Sequence, residues 1–150
     1  MRRWTFLVFF LMLSCLPRES IAQENKTVGE KARRVVALSS LSADLVVSIN
    51  PDALIGVPGT SLTNQDSRYS GLKRVSNGRS QPSVELILAL KPDLVIGAEG
   101  FHSRVLTSLK KLGVSTLAVK VNRWEKLEQA SRTLEKKIVD SDSIQSKISK

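Results

Sequence analysis

Short apolar runs alternate with amphipathic stretches along most of this chain of 150 residues. The apolar runs are rich in valine, leucine and isoleucine and have the length of buried strands. They predict four strands, over residues 35–38, 54–57, 94–97 and 116–119. Apolar positions at helical spacing lie between and after them, over residues 42–49, 84–90, 103–112 and 124–138. This alternation predicts an α/β fold with a mainly parallel sheet of four strands.

The amino terminus has the composition of an export signal. Two basic residues, Arg2 and Arg3, precede an apolar run over residues 4–16 that is too short to span a bilayer. A proline ends that run, and small residues at the two positions that a signal peptidase reads favour cleavage after Ala22. We therefore expect residues 1–22 to be a signal peptide and the mature chain to be periplasmic.

A single cysteine allows a second interpretation of the same segment. Cys15 follows a Met-Leu-Ser sequence, and acylation of its thiol would anchor the protein as a lipoprotein. Cleavage after Ala22 would instead remove the only cysteine, which would exclude disulfides and thiol catalysis in the mature chain. Residues 23–33 are polar and unpatterned, so we expect a flexible tether before a domain that begins at residue 34.

Composition argues against nucleic-acid binding and against enzymatic chemistry. The net charge is +9, but the basic residues are spread along the chain and no aromatic side chains interleave them. One histidine cannot build a site for a bare zinc or manganese ion, which needs several histidine or carboxylate ligands. The sequence contains no phosphate-binding glycine loop, dinucleotide fingerprint or activated nucleophile pattern. We expect a binding protein with no resident cofactor and no metal site of its own.

The segment over residues 78–101 carries the clearest functional signal. Ser83 is placed to cap a helix, and a proline then separates this helix from the following apolar strand. Ligands of open α/β sheets bind outside the carboxyl ends of the strands. The turn over residues 99–101, directly after that strand, is therefore a candidate binding loop.

Several patterns in and around this segment resemble one family. The matching stretches are Pro82-Ser83-Val84-Glu85 and Leu90-Lys91-Pro92-Asp93-Leu94-Val95-Ile96, with others over 34–39, 54–57, 74–75 and 109–114. In this order they resemble the first lobe of the periplasmic binding proteins that serve ABC importers of iron-siderophores, haem and cobalamin. The resemblance covers roughly residues 33 to 140, the whole expected domain.

The resemblance implies a three-layer Rossmann-like lobe over residues 34–139. Members of the family have two such lobes, joined by a long rigid helix, and hold the ligand between them. Residues 140–150 are therefore expected to form the start of the linker helix, with the second lobe absent from this chain. A truncated fragment that binds no ligand is the alternative interpretation.

The resemblance also assigns the ligand to two loops. Arg79 lies at the offset where hydroxamate-siderophore binders of the family carry an arginine that faces the cleft, and its fixed fork of donors suits anionic chelate oxygens. Phe101 stands where these relatives often have a tyrosine, so Glu99, Gly100 and Phe101 are expected to approach the chelate, with His102 beside them. Without the resemblance, Arg79 is a solvated loop arginine and Phe101 a partly buried ring at a helix start.

Three hydroxyl residues and the single tyrosine are secondary candidates. Ser39 and Ser40 follow the first strand and Thr60 follows the second, where hydroxyls and backbone N–H groups at a helix start can face an anion. A plain helix cap at Ser42 and a plain turn at Gly59-Thr60 are the structural alternatives. Tyr69 lies in a loop from which some haem-binding relatives supply a tyrosinate to iron, so haem is an open alternative. A packing residue with its hydroxyl in water is the structural alternative for Tyr69.

Glu85 completes the set, because it matches a family glutamate that pairs with arginines of the membrane permease. The helix dipole would favour a carboxylate there even without a partner. The resemblance thus implies a monomeric solute-binding protein that delivers an iron(III)-siderophore-like chelate, with the hydroxamate type favoured, to an ABC permease in the inner membrane. Haem or cobalamin binding by the same fold, and a small exported α/β enzyme, are the alternatives.

Overall fold

All four strands predicted from the apolar runs occur within the residues that the computed structural model describes, which are 31–120, 122 and 124–139. Several predictions concern segments outside these residues: the signal peptide over 1–22 with its Cys15, most of the tether over 23–33, and the start of a linker helix over 140–150.

The sheet contains a fifth strand that the sequence pattern does not reveal. The strands are β1 (Val35–Ala37), β2 (Leu54–Val57), β3 (Lys73–Arg74), β4 (Leu94–Ala98) and β5 (Ser115–Val119). All are parallel and lie in the order β3-β2-β1-β4-β5. The α/β class is confirmed, but the predicted count of four strands is wrong. Strand β3 was missed because it has only two residues, both basic, and therefore no apolar run.

Helices connect successive strands. They are α1 (Ser40–Ile49), α2 (Ser61–Gln65), α3 (Val84–Ala89), α4 (Ser103–Lys111) and α5 (Trp124–Ile138). Helix α1 begins two residues before the predicted start, because the Ser39 hydroxyl caps it by accepting the backbone N–H of Ser42 at 3.2 Å. The short and polar α2 was not predicted. Among the residues that the structure describes, no helix combines the length and the apolar character needed to cross a bilayer.

Alternate residues of the central strands enter two separate cores, which makes the fold three-layered. Val35 packs in one core with Val46 of α1 and Leu134 of α5. Its neighbour Val36 packs in the other core with Leu109 of α4. Successive side chains of a strand point to opposite faces of the sheet, so helices must cover both faces. The predicted three-layer architecture is confirmed.

Candidate ligand-binding site

Most of the predicted ligand-binding residues follow the carboxyl ends of strands. Because all five strands are parallel, these ends meet at one edge of the sheet, here termed the carboxyl edge. The loops and helix starts after β1, β2, β3 and β4 carry the predicted residues Ser39, Ser40, Thr60, Arg79, Glu99, Gly100 and Phe101. The topology therefore brings these predicted residues to the same edge.

Arg79 lies exposed in the loop between β3 and α3. The Asn77 side chain shapes this loop, since its Oδ1 accepts the backbone N–H groups of Arg79 at 3.1 Å and of Ser80 at 3.0 Å. The guanidinium of Arg79 has no hydrogen-bond or ion-pair partner in the described part of the chain. All of its N–H donors are available to an acceptor that comes from outside.

The loop that carries Arg79 packs main chain against main chain on the loop after β2. The backbone N–H of Gly59 donates to the carbonyl of Ser76 at 2.9 Å, and a Cβ at Gly59 would clash with that carbonyl oxygen. Gly78 has a φ of +80°, and a Cβ there would lie 2.6 Å from the Gly59 carbonyl oxygen. Glycine at both positions permits the close approach that fixes where Arg79 stands.

The turn after β4 presents an aromatic ring to solvent. Phe101 is 63% exposed, and its carbonyl accepts a hydrogen bond from Gln81 Nε2 at 3.2 Å. This bond joins the turn to the loop that carries Arg79. Gly100 has a φ of +84° and donates its N–H to Ser103 Oγ at 2.9 Å. The exposed ring and the unpaired guanidinium therefore lie on two loops in direct contact.

Sequence reasoning missed Gln81, which makes that contact. No periodicity or motif marks a glutamine that bonds a carbonyl twenty residues further along the chain. Asn77 was also missed, although the Asn77-Gly78 pair is a recognisable turn signal. The two amides hold the loops that the resemblance singled out, so their role is to shape the site.

Glu99 lies at the rim of the carboxyl edge. Its backbone N–H donates to the Val119 carbonyl at 2.9 Å, which places its side chain near the end of β5. Lys120 Nζ lies 3.9 Å from Glu99 Oε1, and both side chains are at least half exposed. Such a pair contributes no more than about 1 kcal/mol, so either charge can turn towards an incoming group at little cost.

A cavity of about 530 Å³ adjoins the Arg79 loop. Its walls combine apolar surface with hydroxyl and amide groups, and include Asn64, Arg74, Val75, Ser76, Asn77, Ser80, Gln81, Ser83 and Leu86. Small-molecule sites typically have volumes of about 300–1,000 Å³. The cavity is therefore large enough for part of a small ligand, with hydroxyl and amide groups as its hydrogen-bonding partners.

The hydroxyls predicted as secondary ligands bond mainly to one another. Ser40 Oγ lies 2.9 Å from Thr60 Oγ1, and Thr60 Oγ1 lies 3.1 Å from Thr63 Oγ1. Ser39 and Thr60 cap α1 and α2, whereas the structural alternatives were a cap at Ser42 and a plain turn at Gly59-Thr60. These bonds tie the starts of two helices together at the carboxyl edge. They also leave the hydroxyls less available to a ligand than the Arg79 guanidinium.

Two predicted ligand residues are buried rather than exposed at the carboxyl edge. Tyr69 is 2% exposed and donates its hydroxyl to Asp44 Oδ1 at 2.6 Å. Burial, reinforced by this bond, raises the pKa of Tyr69, which disfavours the tyrosinate that an iron ligand requires. His102 is 3% exposed, and its Nδ1 accepts the backbone N–H of Ala98 at 3.0 Å. We therefore leave both side chains out of the direct ligand contacts.

Glu85 stands exposed in the first turn of α3. The Ser83 hydroxyl donates to Glu85 Oε2 at 2.7 Å, and this bond lowers the pKa of the carboxyl group. Glu85 is thus a solvent-facing carboxylate at neutral pH. The geometry suits both expected roles, the favourable helix-start acid and the charged partner of an arginine on another protein.

Comparison with protein families gives one match over most of the chain. The sequence profile of a family described as "periplasmic binding protein" matches residues 35–138. A comparison with curated proteins finds no match.

Solved structures share the fold of this lobe. The periplasmic vitamin B12 binding protein BtuF of Vibrio cholerae has 21% identity and a TM-score of 0.64, over 77% of this chain and 45% of its own. A periplasmic heme binding protein from Pseudomonas aeruginosa has 31% identity and a TM-score of 0.56, over 69% of this chain and 37% of its own. A possible iron-binding periplasmic solute-binding protein from Staphylococcus epidermidis has 20% identity and a TM-score of 0.60, over 72% of this chain and 44% of its own. The chain thus spans less than half the length of these proteins.

Proposed function

This chain belongs to the family of periplasmic binding proteins, and we propose on that basis that it binds an iron(III) chelate of the siderophore type at the carboxyl edge. We further propose that the chelate is of the hydroxamate type and that the lobe serves an ABC importer. The family binds solutes, so the proposed role is capture and delivery rather than a reaction.

The unpaired guanidinium of Arg79 carries this proposal. An exposed arginine with no partner in the described residues can donate to anionic chelate oxygens without giving up any bond of its own. Phe101 adds an exposed ring on the neighbouring loop, which can pack on the flat or apolar part of a chelate. The iron would be held by the chelator, and among the described residues no three histidine, cysteine or acidic side chains cluster as metal ligands.

Haem or cobalamin is the second candidate ligand. The similar structures include a vitamin B12 binding protein and a heme binding protein, and the latter has 31% identity. The exposed ring of Phe101 could stack on a porphyrin or a corrin as well as on a smaller chelate. The surroundings of Tyr69 speak against axial ligation of haem iron by this residue, because its hydroxyl is buried and bonded to Asp44.

The proposal extends to export and to a permease partner. Periplasmic binding proteins work outside the inner membrane, which agrees with the predicted signal peptide over residues 1–22. Glu85, an exposed carboxylate at a helix start, is the proposed contact with arginines of the permease. An exposed carboxylate and an arginine fork form a strong bidentate pair once water is excluded from an interface.

Equilibrium titration of the purified protein tests the ligand assignment. The probes are a ferric trihydroxamate, a ferric catecholate, haem and cyanocobalamin, with bound probe measured by its visible absorbance after dialysis. We expect saturable binding of the ferric trihydroxamate. Tighter binding of haem or cyanocobalamin would transfer the assignment to that ligand, and no saturable binding by a protein with a folded circular-dichroism spectrum would refute the function.

Substitution of Arg79 tests the site separately from the ligand. Arg79→Ala should weaken binding by about tenfold or more, since one charge-assisted contact is worth about 1.4 kcal/mol or more. Arg132→Ala is the matched control, because Arg132 is equally charged and highly exposed but lies on α5, paired with Glu128. Equal affinities of the Arg79 and Arg132 variants would remove Arg79 from the site.

A further inference from the structure

One side chain closes the turn that displays Phe101. The backbone N–H of His102 donates to the Ala98 carbonyl at 3.0 Å, and the backbone N–H of Ala98 donates to His102 Nδ1, also at 3.0 Å. The two residues are thus bonded reciprocally across the turn that contains Glu99, Gly100 and Phe101. Because Nδ1 acts as an acceptor, the ring is neutral and carries its proton on Nε2.

The imidazole is held firmly between the sheet and the exposed phenyl ring. His102 is 3% exposed, and a Cβ added at Gly97 would lie 2.9 Å from His102 Cβ, so only glycine leaves room for it. The Phe101 ring stands perpendicular to the imidazole at a centroid distance of 4.8 Å. Aromatic rings favour this edge-to-face arrangement. The orientation of Phe101 therefore depends on where His102 stands.

We propose that His102 is the positioning residue of this turn, and that it holds Phe101 and Glu99 in the ligand-binding arrangement only while its imidazole is neutral. A protonated imidazole has two N–H donors and no acceptor. Its Nδ1–H would then point at the N–H of Ala98, and both the reciprocal closure and the support under Phe101 would be lost. The effect on affinity rests on the proposed function, whereas the effect on the turn does not.

The electrostatic surroundings agree with this assignment. The charged residues on the elements around the ring are Glu99 on the same turn, Arg104, Lys110 and Lys111 on α4, Lys120 after β5 and Glu85 on α3. Glu99 lies 3.9 Å from Lys120, and Ser83 bonds Glu85, so neither acid is committed to the imidazole. Burial lowers the pKa of His102, which keeps the ring neutral at pH 7.

The sequence makes this proposal easy to test, because His102 is the only histidine in the chain. Over the range from about pH 8 to about pH 5, a pH effect that depends on an imidazole can come from this residue alone. The same fact simplifies nuclear magnetic resonance, since the signals of one imidazole need no assignment.

The first experiment follows the turn without ligand. In the purified protein, ¹⁵N spectra should report a neutral imidazole with its proton on Nε2 at about pH 8. Exchange of the Ala98 amide proton should speed up, relative to the Val95 amide inside the same strand, as the ring becomes protonated. A ring with its proton on Nδ1 would overturn the proposal. So would an Ala98 amide whose exchange, relative to that of Val95, does not change when the imidazole is protonated.

The second experiment measures affinity for a ferric trihydroxamate. His102→Asn keeps an acceptor near the position of Nδ1 but cannot be protonated, and His102→Ala removes the acceptor. We expect wild-type affinity to fall at least about threefold as the pH is lowered until the imidazole is protonated, His102→Asn to be flat over the same range, and His102→Ala to be weak throughout. A parallel pH dependence in wild type and His102→Asn would overturn the role of His102 in binding.

The two experiments separate the two claims. If the ferric trihydroxamate, the ferric catecholate, haem and cyanocobalamin all fail to bind, the proposed function falls, and the positioning of the turn is decided by the Ala98 amide alone. If a probe binds with an affinity that His102→Asn and His102→Ala leave unchanged at every pH, the proposed function stands and the His102 inference is refuted.

Discussion

Two regions of this lobe each contain one arginine and one aromatic residue, here called a pair, and the two pairs have opposite surroundings. In the first pair, Tyr69 is 2% exposed and Arg74 donates hydrogen bonds from all three guanidinium nitrogens. The acceptors of Arg74 lie between 2.9 and 3.1 Å away and are Asn64 Oδ1 and the carbonyls of Thr63, Tyr69 and Leu72. In the second pair, Phe101 is 63% exposed and Arg79 has no partner within the described residues.

The difference in bonding shows which of the two arginines stabilises the fold and which is available to a ligand. Arg74 cannot turn towards a ligand without leaving backbone carbonyls unsatisfied, so its bonds belong to the fold. Arg79 can take a new acceptor and lose nothing, and Phe101 can bury new apolar surface. The same residue types thus serve the structure in one pair and are available for binding in the other.

Removal of the guanidinium at Arg74 should have the largest effect. Arg74→Met keeps an unbranched apolar stem but deprives three carbonyls and an amide of their donor, and we expect the free energy of unfolding to fall by about 3 kcal/mol. Urea denaturation measures this change. Arg79→Met in the same assay should stay within about 0.5 kcal/mol of wild type. Equal losses in both variants would abolish the distinction between the two pairs.

Removal of the exposed ring should act on binding and not on stability. Phe101→Ala is expected to weaken the ferric trihydroxamate complex by about tenfold, or about 1.4 kcal/mol, because the ring would no longer pack on the bound chelate. Dialysis with absorbance detection measures it. Leu112→Ala is the matched control, since Leu112 is 59% exposed but lies at the far end of α4. A loss of affinity in the control equal to that in Phe101→Ala would refute the specific role of the ring.

The buried aromatic should show the converse behaviour. Tyr69→Phe removes the bond to Asp44 and should lower the free energy of unfolding by about 1 kcal/mol, with ligand affinity unchanged. The pKa of Tyr69 is higher in the folded protein than in the unfolded chain, where it has its ordinary value of about 10. The stability that the protonated hydroxyl contributes is therefore complete below about pH 10 and is lost as the pH rises further.

The loss of this stability at high pH allows a second measurement on Tyr69→Phe. Between about pH 9 and about pH 11, the wild-type free energy of unfolding should decline more steeply than that of Tyr69→Phe. Parallel declines would mean that Tyr69 titrates alike in the folded and unfolded chains. A change of ligand affinity in Tyr69→Phe would instead return this tyrosine to the binding site.

The smallest effect is expected at the rim. Glu99→Gln removes one member of an exposed pair with Lys120, so stability should change by no more than about 0.5 kcal/mol. The freed lysine charge should raise the affinity for a chelate with net negative charge by about twofold at low ionic strength, an effect that salt screens. Titrations at two salt concentrations measure it. An affinity that falls in Glu99→Gln would mean that Glu99 itself contacts the ligand.

The sequence predicted those parts of the fold that depend on local periodicity. The strand around Leu94, Val95 and Ile96 was predicted because its residues enter two cores and are therefore all apolar. Strand β3 and helix α2 were missed because they are short and polar, and tertiary pairing rather than local pattern forms them. A strand or helix was thus predictable from the sequence wherever its buried face requires a regular pattern of apolar residues.

The candidate site was predictable to a different extent. Arg79 and Phe101 could be singled out by the resemblance, and the structure exposes both at the carboxyl edge. The bond that holds the Tyr69 hydroxyl could not be foreseen, since its acceptor Asp44 lies twenty-five residues earlier in the chain. The reciprocal bonds of His102 were equally hidden, because a lone histidine in sequence carries no sign of which ring nitrogen accepts a hydrogen bond.

The close contact between Gly59 and Gly78 has a consequence for how this lobe can change its selectivity. The two loops are held to each other through main-chain atoms, so these contacts beside residue 79 do not involve the Arg79 side chain. A library of substitutions at that single codon would vary the charge and reach presented to ligands while the scaffold stays the same. Residue 79 is therefore a natural starting point for redesigning this protein as a sensor for other small molecules.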